Sequence, residues 1–243
     1  MTTRHLQGLL GAAVVSAGAI LATAAAPTAT AEPCADVELV FARGTGEAPG
    51  VGGVGQSYVD ALRAQLGPRT LDVYPVNYAA SDDFNNREAF ASTVIDGVRD
   101  AGNHVQATAA NCPATKIVLG GYSQGAIVAG YVTANQVPAG VPAAVAPQPL
   151  PASTADHVAA VTLFGNPSPQ FLQQYDAPQL TIGPNYVDKT LQLCAQGDTI
   201  CDGAPGGQPS FAHITYGFNG MTNEAATYAV SRIAPAPAPA PAA

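Results

Sequence analysis

Lys116–Gly130 reads KIVLGGYSQGAIVAG. The apolar run Ile117-Val118-Leu119 meets Gly120-Gly121-Tyr122-Ser123-Gln124-Gly125 and then passes into Ala126-Ile127-Val128-Ala129, a helix-like pattern. Strand, sharp turn and helix are expected in that order, with Ser123 at the corner. In a G-x-S-x-G elbow the serine hydroxyl stands exposed at the carboxyl end of the strand, and side chains at the two glycine positions would collide with neighbouring backbone. The N–H after the serine, here that of Gln124, points toward a bound carbonyl. A bare match to the pattern is common, and it is the strand-elbow-helix context that makes Ser123 a candidate nucleophile. A glycine-rich loop ahead of a buried helix is the reading without chemistry.

Around the elbow, Val37–Ala42 (VELVFA), Leu71–Val76 (LDVYPV), Val158–Phe164 (VAAVTLF) and Val187–Cys194 (VDKTLQLC) read as further strands, rich in β-branched or aromatic residues. Helical spacing is expected over Gly55–Leu66, Arg87–Ala110, Gln124–Asn135 and Thr222–Ile233. Alternating strands and helices imply an α/β fold, a three-layer α/β/α sandwich with a central parallel sheet. Val137–Ser153, rich in proline and alanine without a period, reads as an exposed loop.

The ends of the chain read differently. Arg4, the alanine-rich apolar run Leu9–Ala26 and the small residues Ala29-Thr30-Ala31 have the form of a secretory signal over residues 1–31. An uncleaved anchor is the alternative, but the many alanines make that run weakly apolar, and no stable membrane span is expected after signal removal. One domain is expected over 32–233, and the alternating Ala-Pro residues 234–243 read as an extended tail. A secreted protein, extracellular or cell-wall associated and monomeric, is the expectation.

The chain has a formal net charge of −8 with only 9 Lys and Arg. No basic stripe is present to track a phosphate backbone, so nucleic acid is not expected as a partner. The 4 cysteines, Cys34, Cys112, Cys194 and Cys201, all follow the signal, and an oxidising compartment favours two disulfides. Three connectivities are open; the closeness of Cys194 and Cys201 makes their pairing the simplest choice, leaving Cys34 to Cys112. Zinc is the competing reading, but neither pair has the C-x₂-C spacing of structural sites.

A serine elbow needs a base. His5 leaves with the signal, His104 lies mid-helix, and His157 opens a strand at the end of the sheet away from the nucleophile. His213 follows the last expected strand, on the side where Ser123 emerges, and is the best candidate. The orienting acid should precede it in the chain. Asp198, inside Cys194-Ala195-Gln196-Gly197-Asp198-Thr199-Ile200-Cys201, would be held by a disulfide-closed loop; Asp202 and Asp188 are its rivals. Developing charge on a substrate oxygen needs two N–H donors. Gln124 supplies one, and the glycine-rich loop Arg43-Gly44-Thr45-Gly46 is placed to supply the other through Thr45.

These residues resemble the cutinase family of serine esterases, especially the secreted cutinase-like proteins of actinobacteria. The resemblance rests on Phe41-Ala42-Arg43-Gly44-Thr45, Gly120-Gly121-Tyr122-Ser123-Gln124-Gly125, Cys194-(x)₃-Asp198-(x)₂-Cys201 and His213-(x)₂-Tyr216, in that order along nearly the whole mature chain. It implies a small, lidless α/β-hydrolase with Ser123 as nucleophile, His213 as base, Asp198 as orienting acid, Thr45 and Gln124 at the oxyanion hole, and disulfides Cys34–Cys112 and Cys194–Cys201. The chain departs from the family pattern in three places: Thr45 stands where fungal cutinases have serine, Asp202–Ala212 is polar and glycine-rich where an aliphatic run would flank the site, and the loop Val137–Ser153 is longer than the family leads one to expect.

Hydrolysis of a short- to medium-chain acyl ester, cutin and lipid included, is therefore expected, with no metal and no cofactor. Acyl transfer to an alcohol, phospholipase or thioesterase action would use the same residues. A catalytically silent cell-envelope binding protein is the non-enzymatic alternative, favoured only by the Ala-Pro tail.

Overall fold

In the computed structural model, residues 34–204 and 207–233 are described. The expected signal and Ala-Pro tail lie outside those residues. β1 (Val37–Ala42) is buried along its whole length, as an interior strand with both faces covered must be. It pairs in parallel with β2 (Leu71–Pro75) on one side and β3 (Lys116–Tyr122) on the other. β4 (Val158–Phe164) pairs in parallel with β3, and β5 (Thr190–Leu193) with β4. The sheet order is β2-β1-β3-β4-β5. Winding runs outward from the β1/β3 boundary in both directions, so the crevice beyond the carboxyl ends of those two strands is where an α/β sheet binds ligands.

Alternation along β1 sorts the core into two layers. Val37, Leu39 and Phe41 face α1 (Gly52–Gln65) and the final helix, meeting Tyr58, Leu62, Ala225 and Ala229. Val40 and Ala42 face α2 (Arg87–Asn111) and α3 (Gln124–Val132), meeting Val98, Val105, Val128 and Ala129. The α/β/α sandwich with a parallel centre is thus the fold.

The differences from the expected elements have local causes. Pro169 and Pro184 each sit in the first turn of a short helix, α4 (Pro169–Gln174) and α5 (Pro184–Val187), a position that tolerates the missing N–H. Because α5 claims Val187, β5 begins only at Thr190, and Asp188 caps α5 instead of standing on a strand. α3 stops at Val132 because Thr133 turns its hydroxyl to the Gly130 carbonyl at 2.6 Å and gives its own carbonyl to the Gly183 N–H at 3.1 Å. α6 (Met221–Arg232) closes the fold beside α1. The 137–153 segment has no strand, as expected, yet it is fastened to α2: Arg99 donates to the Val145 carbonyl at 2.8 Å, and Leu150 packs beside Gly102. The disulfides are Cys34–Cys112 and Cys194–Cys201.

Candidate active site

The elbow is set by backbone contact. Ser123 has φ 56° and ψ −117°, a strained region that non-glycine residues occupy at functional turns. A Cβ at Gly121 would lie 2.0 Å from the Gly125 carbonyl oxygen, and one at Gly125 would lie 1.9 Å from the Ala42 oxygen. Both glycines are therefore required, the second because α3 starts directly against the end of β1. The Ser123 N–H donates to the Phe164 carbonyl at 2.9 Å, tying the elbow to the neighbouring strand as well.

Three of the expected residues converge from distant parts of the chain. Ser123 Oγ lies 2.8 Å from His213 Nε2. His213 Nδ1 lies 2.9 and 2.8 Å from the two Asp198 oxygens. With Nδ1–H donating to the carboxylate, Nε2 is left to accept from the serine hydroxyl. Asp198 has no exposed surface at all. Burial pulls its carboxyl upward, but hydrogen bonds from His213 and Tyr216, the His213 charge and the Ile200 amide outweigh that and hold it below the ordinary carboxylate value. The rivals stand apart: Asp202 is exposed and caps its own turn at the Ala204 N–H, and Asp188 is exposed beyond α5. His104 packs flat against Tyr74 and meets Glu38 at 2.6 Å. His157 follows a short 3₁₀ turn at the amino end of β4.

Thr45 is half-buried in the loop after β1. Among the described residues, nothing accepts from the Thr45 or the Gln124 N–H, which leaves two backbone donors, one in the loop after β1 and one at the first residue of α3, next to Ser123. That loop is anchored by residues the sequence did not single out. The buried Arg43 donates from Nε to the Glu47 carbonyl at 2.8 Å and from its terminal nitrogens to the carbonyls of Val76 and Tyr78 at 3.4 and 2.5 Å. The Tyr78 hydroxyl donates back to the Arg43 carbonyl. Glu47 accepts from the Gly44 N–H at 2.6 Å and the Gly53 N–H at 2.8 Å, clasping the loop to the start of α1. A cation inside an apolar-flanked loop was the available signal for Arg43, since such a charge must spend its donors on fixed acceptors.

His213 is held just as closely. Tyr122, the residue before Ser123, donates its hydroxyl to the His213 carbonyl at 2.7 Å. Its ring fills the space a Cβ at Gly44 would need, 2.7 Å away. Gly165, at φ +57°, lies beneath the relay: a Cβ there would sit 3.0 Å from His213 Cε1 and 3.2 Å from Asp198 Oδ2. The ligand atoms of Cys194, Asp198 and Cys201 fall within 4.8 Å of one another. Both sulfurs are spent in a disulfide, so no thiolate is on offer to a metal.

Phe211 and Ile214 bracket His213 on a 3₁₀ turn (Phe211–Ile214) and are 75% and 57% exposed. Phe84, three residues from the Ser81 carbonyl that receives the Gln124 side chain, is 58% exposed.

The cutinase family profile matches residues 33–233. The chain belongs to the cutinase family. Among cutinase-like relatives, it is 44% identical to carboxylesterase Culp1 of Mycobacterium bovis over 236 residues, covering 96% of this chain and 98% of that protein. It is 55% identical to the probable carboxylesterase Culp7 of Mycobacterium tuberculosis over 170 residues, covering 70% and 89%. Phospholipase Culp4 of the same organism is 44% identical over 230 residues, covering 95% and 92%. Of solved structures, a Trichoderma reesei cutinase in complex with a phosphonate inhibitor superposes with a TM-score of 0.62 at 30% identity, covering 83% of this chain and 78% of that one. An acetylxylan esterase shares the fold, with a TM-score of 0.64 at 23% identity and coverage of 83% and 100%. This member of the family is a carboxylic ester hydrolase of the small α/β-hydrolase type.

Proposed function

We propose that the protein is a secreted serine esterase that hydrolyses short- to medium-chain acyl esters through an acyl-enzyme on Ser123. The observation that carries this reading is the continuous relay from Ser123 Oγ through His213 to the buried Asp198. His213 Nε2 takes the serine proton as Oγ attacks the ester carbonyl. The N–H groups of Thr45 and Gln124 hold the oxyanion, and His213 then gives its proton to the leaving alcohol. Water, activated by the same imidazole, attacks the acyl-enzyme and frees the acid. Asp198 stays ionised, fixing the imidazole tautomer and stabilising the imidazolium. Residues 1–31 are the secretory signal in this reading, 32–233 the catalytic domain and 234–243 a tail.

Phe84 follows the loop that receives the Gln124 side chain, Phe211 and Ile214 flank His213 in sequence, and all three are exposed apolar side chains. That supports lipid or other water-insoluble esters as the substrate class, and the kinship with a protein named phospholipase points the same way.

A serine-reactive alkyl phosphonate, with the adduct mapped by mass spectrometry, tests the mechanism. One adduct on Ser123 is expected, absent from Ser123→Ala and strongly slowed in His213→Ala. Each variant is expected to lose about 10⁴–10⁶ in kcat, without further loss in the double variant. An unlabelled, folded wild-type protein overturns the assignment.

A further inference from the structure

Tyr216 is fully buried, three residues after His213, and the relay described above makes no use of it. Its hydroxyl oxygen lies 2.5 Å from Asp198 Oδ2 and 3.0 Å from the Ala195 amide nitrogen. The Ala195 N–H can only donate, so the phenol oxygen accepts there and its own proton is directed at the carboxylate. Asp198 thus receives three kinds of donor: His213 Nδ1–H, the Ile200 N–H at 3.1 Å, and the Tyr216 hydroxyl. Ala195, Asp198 and Ile200 all belong to the loop closed by Cys194–Cys201, whereas Tyr216 and His213 belong to the segment that delivers the base. The hydroxyl therefore couples the acid's loop to the base's segment, independently of the imidazole.

We propose that Tyr216 is a positioning residue for ester hydrolysis, whose hydroxyl holds Asp198 in place and charged and thereby sets how well His213 serves as base. This role presupposes the Ser123–His213–Asp198 esterase proposed above. The titratable groups facing Asp198 are His213 and Tyr216 from the segment after β5 and Tyr122 from the end of β3. Burial raises both phenols well above their ordinary value, so each stays a neutral donor throughout the working pH range. Without the Tyr216 proton the carboxylate becomes more basic and attracts an imidazolium at His213 more strongly.

Tyr216→Phe keeps the ring and removes the hydroxyl. With a soluble 4-nitrophenyl butyrate substrate, kcat is expected to fall about 10-fold, the loss of one hydrogen bond to a buried charge, while KM stays within about twofold. The acid limb of the pH–kcat profile is expected to move upward by about half a unit. A kcat within twofold of wild type together with an unmoved acid limb overturns the role, even where the unfolding temperature drops, since a packing contribution would lower only the latter. Should Tyr216→Phe fail to fold, 3-fluorotyrosine at position 216 supplies a stronger donor of similar shape. Its acid limb should move downward, and an unmoved limb overturns the proposal. Ser123→Ala, assayed alongside, separates the two levels: turnover surviving in that variant overturns the serine-esterase reading itself, whereas loss of turnover there with a wild-type profile in Tyr216→Phe overturns only the part given to Tyr216.

Discussion

Ser123 and His213 lie 2.8 Å apart, yet the two halves of the site are built by different physics. The half that carries Ser123 is backbone. Ser123 stands between β3 and α3, and its seat is the contact of Gly121 with Gly125 and of Gly125 with Ala42. The half that carries Asp198 and His213 lies beyond β5 on a disulfide-closed loop and a 3₁₀ turn. There side chains fix the geometry: Tyr122 on the His213 carbonyl, Tyr216 on Asp198, and Cys194 with Cys201 around the acid. Backbone contact leaves no tolerance, whereas side-chain pins can be withdrawn singly, so the halves should respond to substitution in different ways.

The largest effect is expected at Gly125→Ala. Its Cβ would overlap the Ala42 carbonyl, with neither α3 nor β1 able to withdraw, and a cost above about 4 kcal/mol is expected. Loss of soluble, cooperatively unfolding protein would show it, and a folded Gly125→Ala variant would break the contrast drawn here. Gly165→Ala comes next. It meets side-chain atoms at 3.0 Å and a positive φ, so the fold should survive with a cost of about 1–3 kcal/mol. Turnover should fall further than stability does, because the displaced atoms are those of His213; chemical denaturation and kcat on the same sample would check it.

Replacing Cys194 and Cys201 together by alanine should lower stability by about 2–3 kcal/mol in the chain-entropy picture. Circular dichroism should keep its α/β signature while kcat drops, since Asp198 loses its enclosure but the elbow does not. Equal loss of helix signal and activity would show that the two halves are not separable.

The smallest effect is in pH. The Asp198 carboxyl is held below the value it has in the unfolded chain, so the unfolded state binds a proton first as pH falls. Its contribution to stability is complete above about pH 4 and is lost as pH falls through the lower folded value. Thermal unfolding between pH 5 and 2 should show a shallower acid decline in Asp198→Asn than in wild type.

The same contrast explains how much could be read in advance. Strands β1, β3 and β4 and the elbow were legible because glycine position, apolar runs and alternation follow from local sterics. His213 could be found by elimination and topology, and Asp198 by chain order and the cysteines around it, with the resemblance to cutinases pointing to both. Arg43 reaches Tyr78, 35 positions on, and Gly165 lies against His213, 48 positions on, and no short window of sequence contains either pair. The exposed Phe211 was lost in a polar stretch because exposure depends on the turn that carries it, which composition does not encode.

The sheet order has a consequence in time. The first strand lies inside the sheet, and the seat for Gly125 is the carbonyl end of that strand. Asp198 and His213 come only much later in the chain. A chain emerging from the ribosome therefore carries Ser123 for 90 positions before His213 follows it, and a fragment clipped ahead of His213 is expected to be inert. Assembly from distant positions would in this way act as a safeguard, delaying the proposed relay until the later segment has been made and folded.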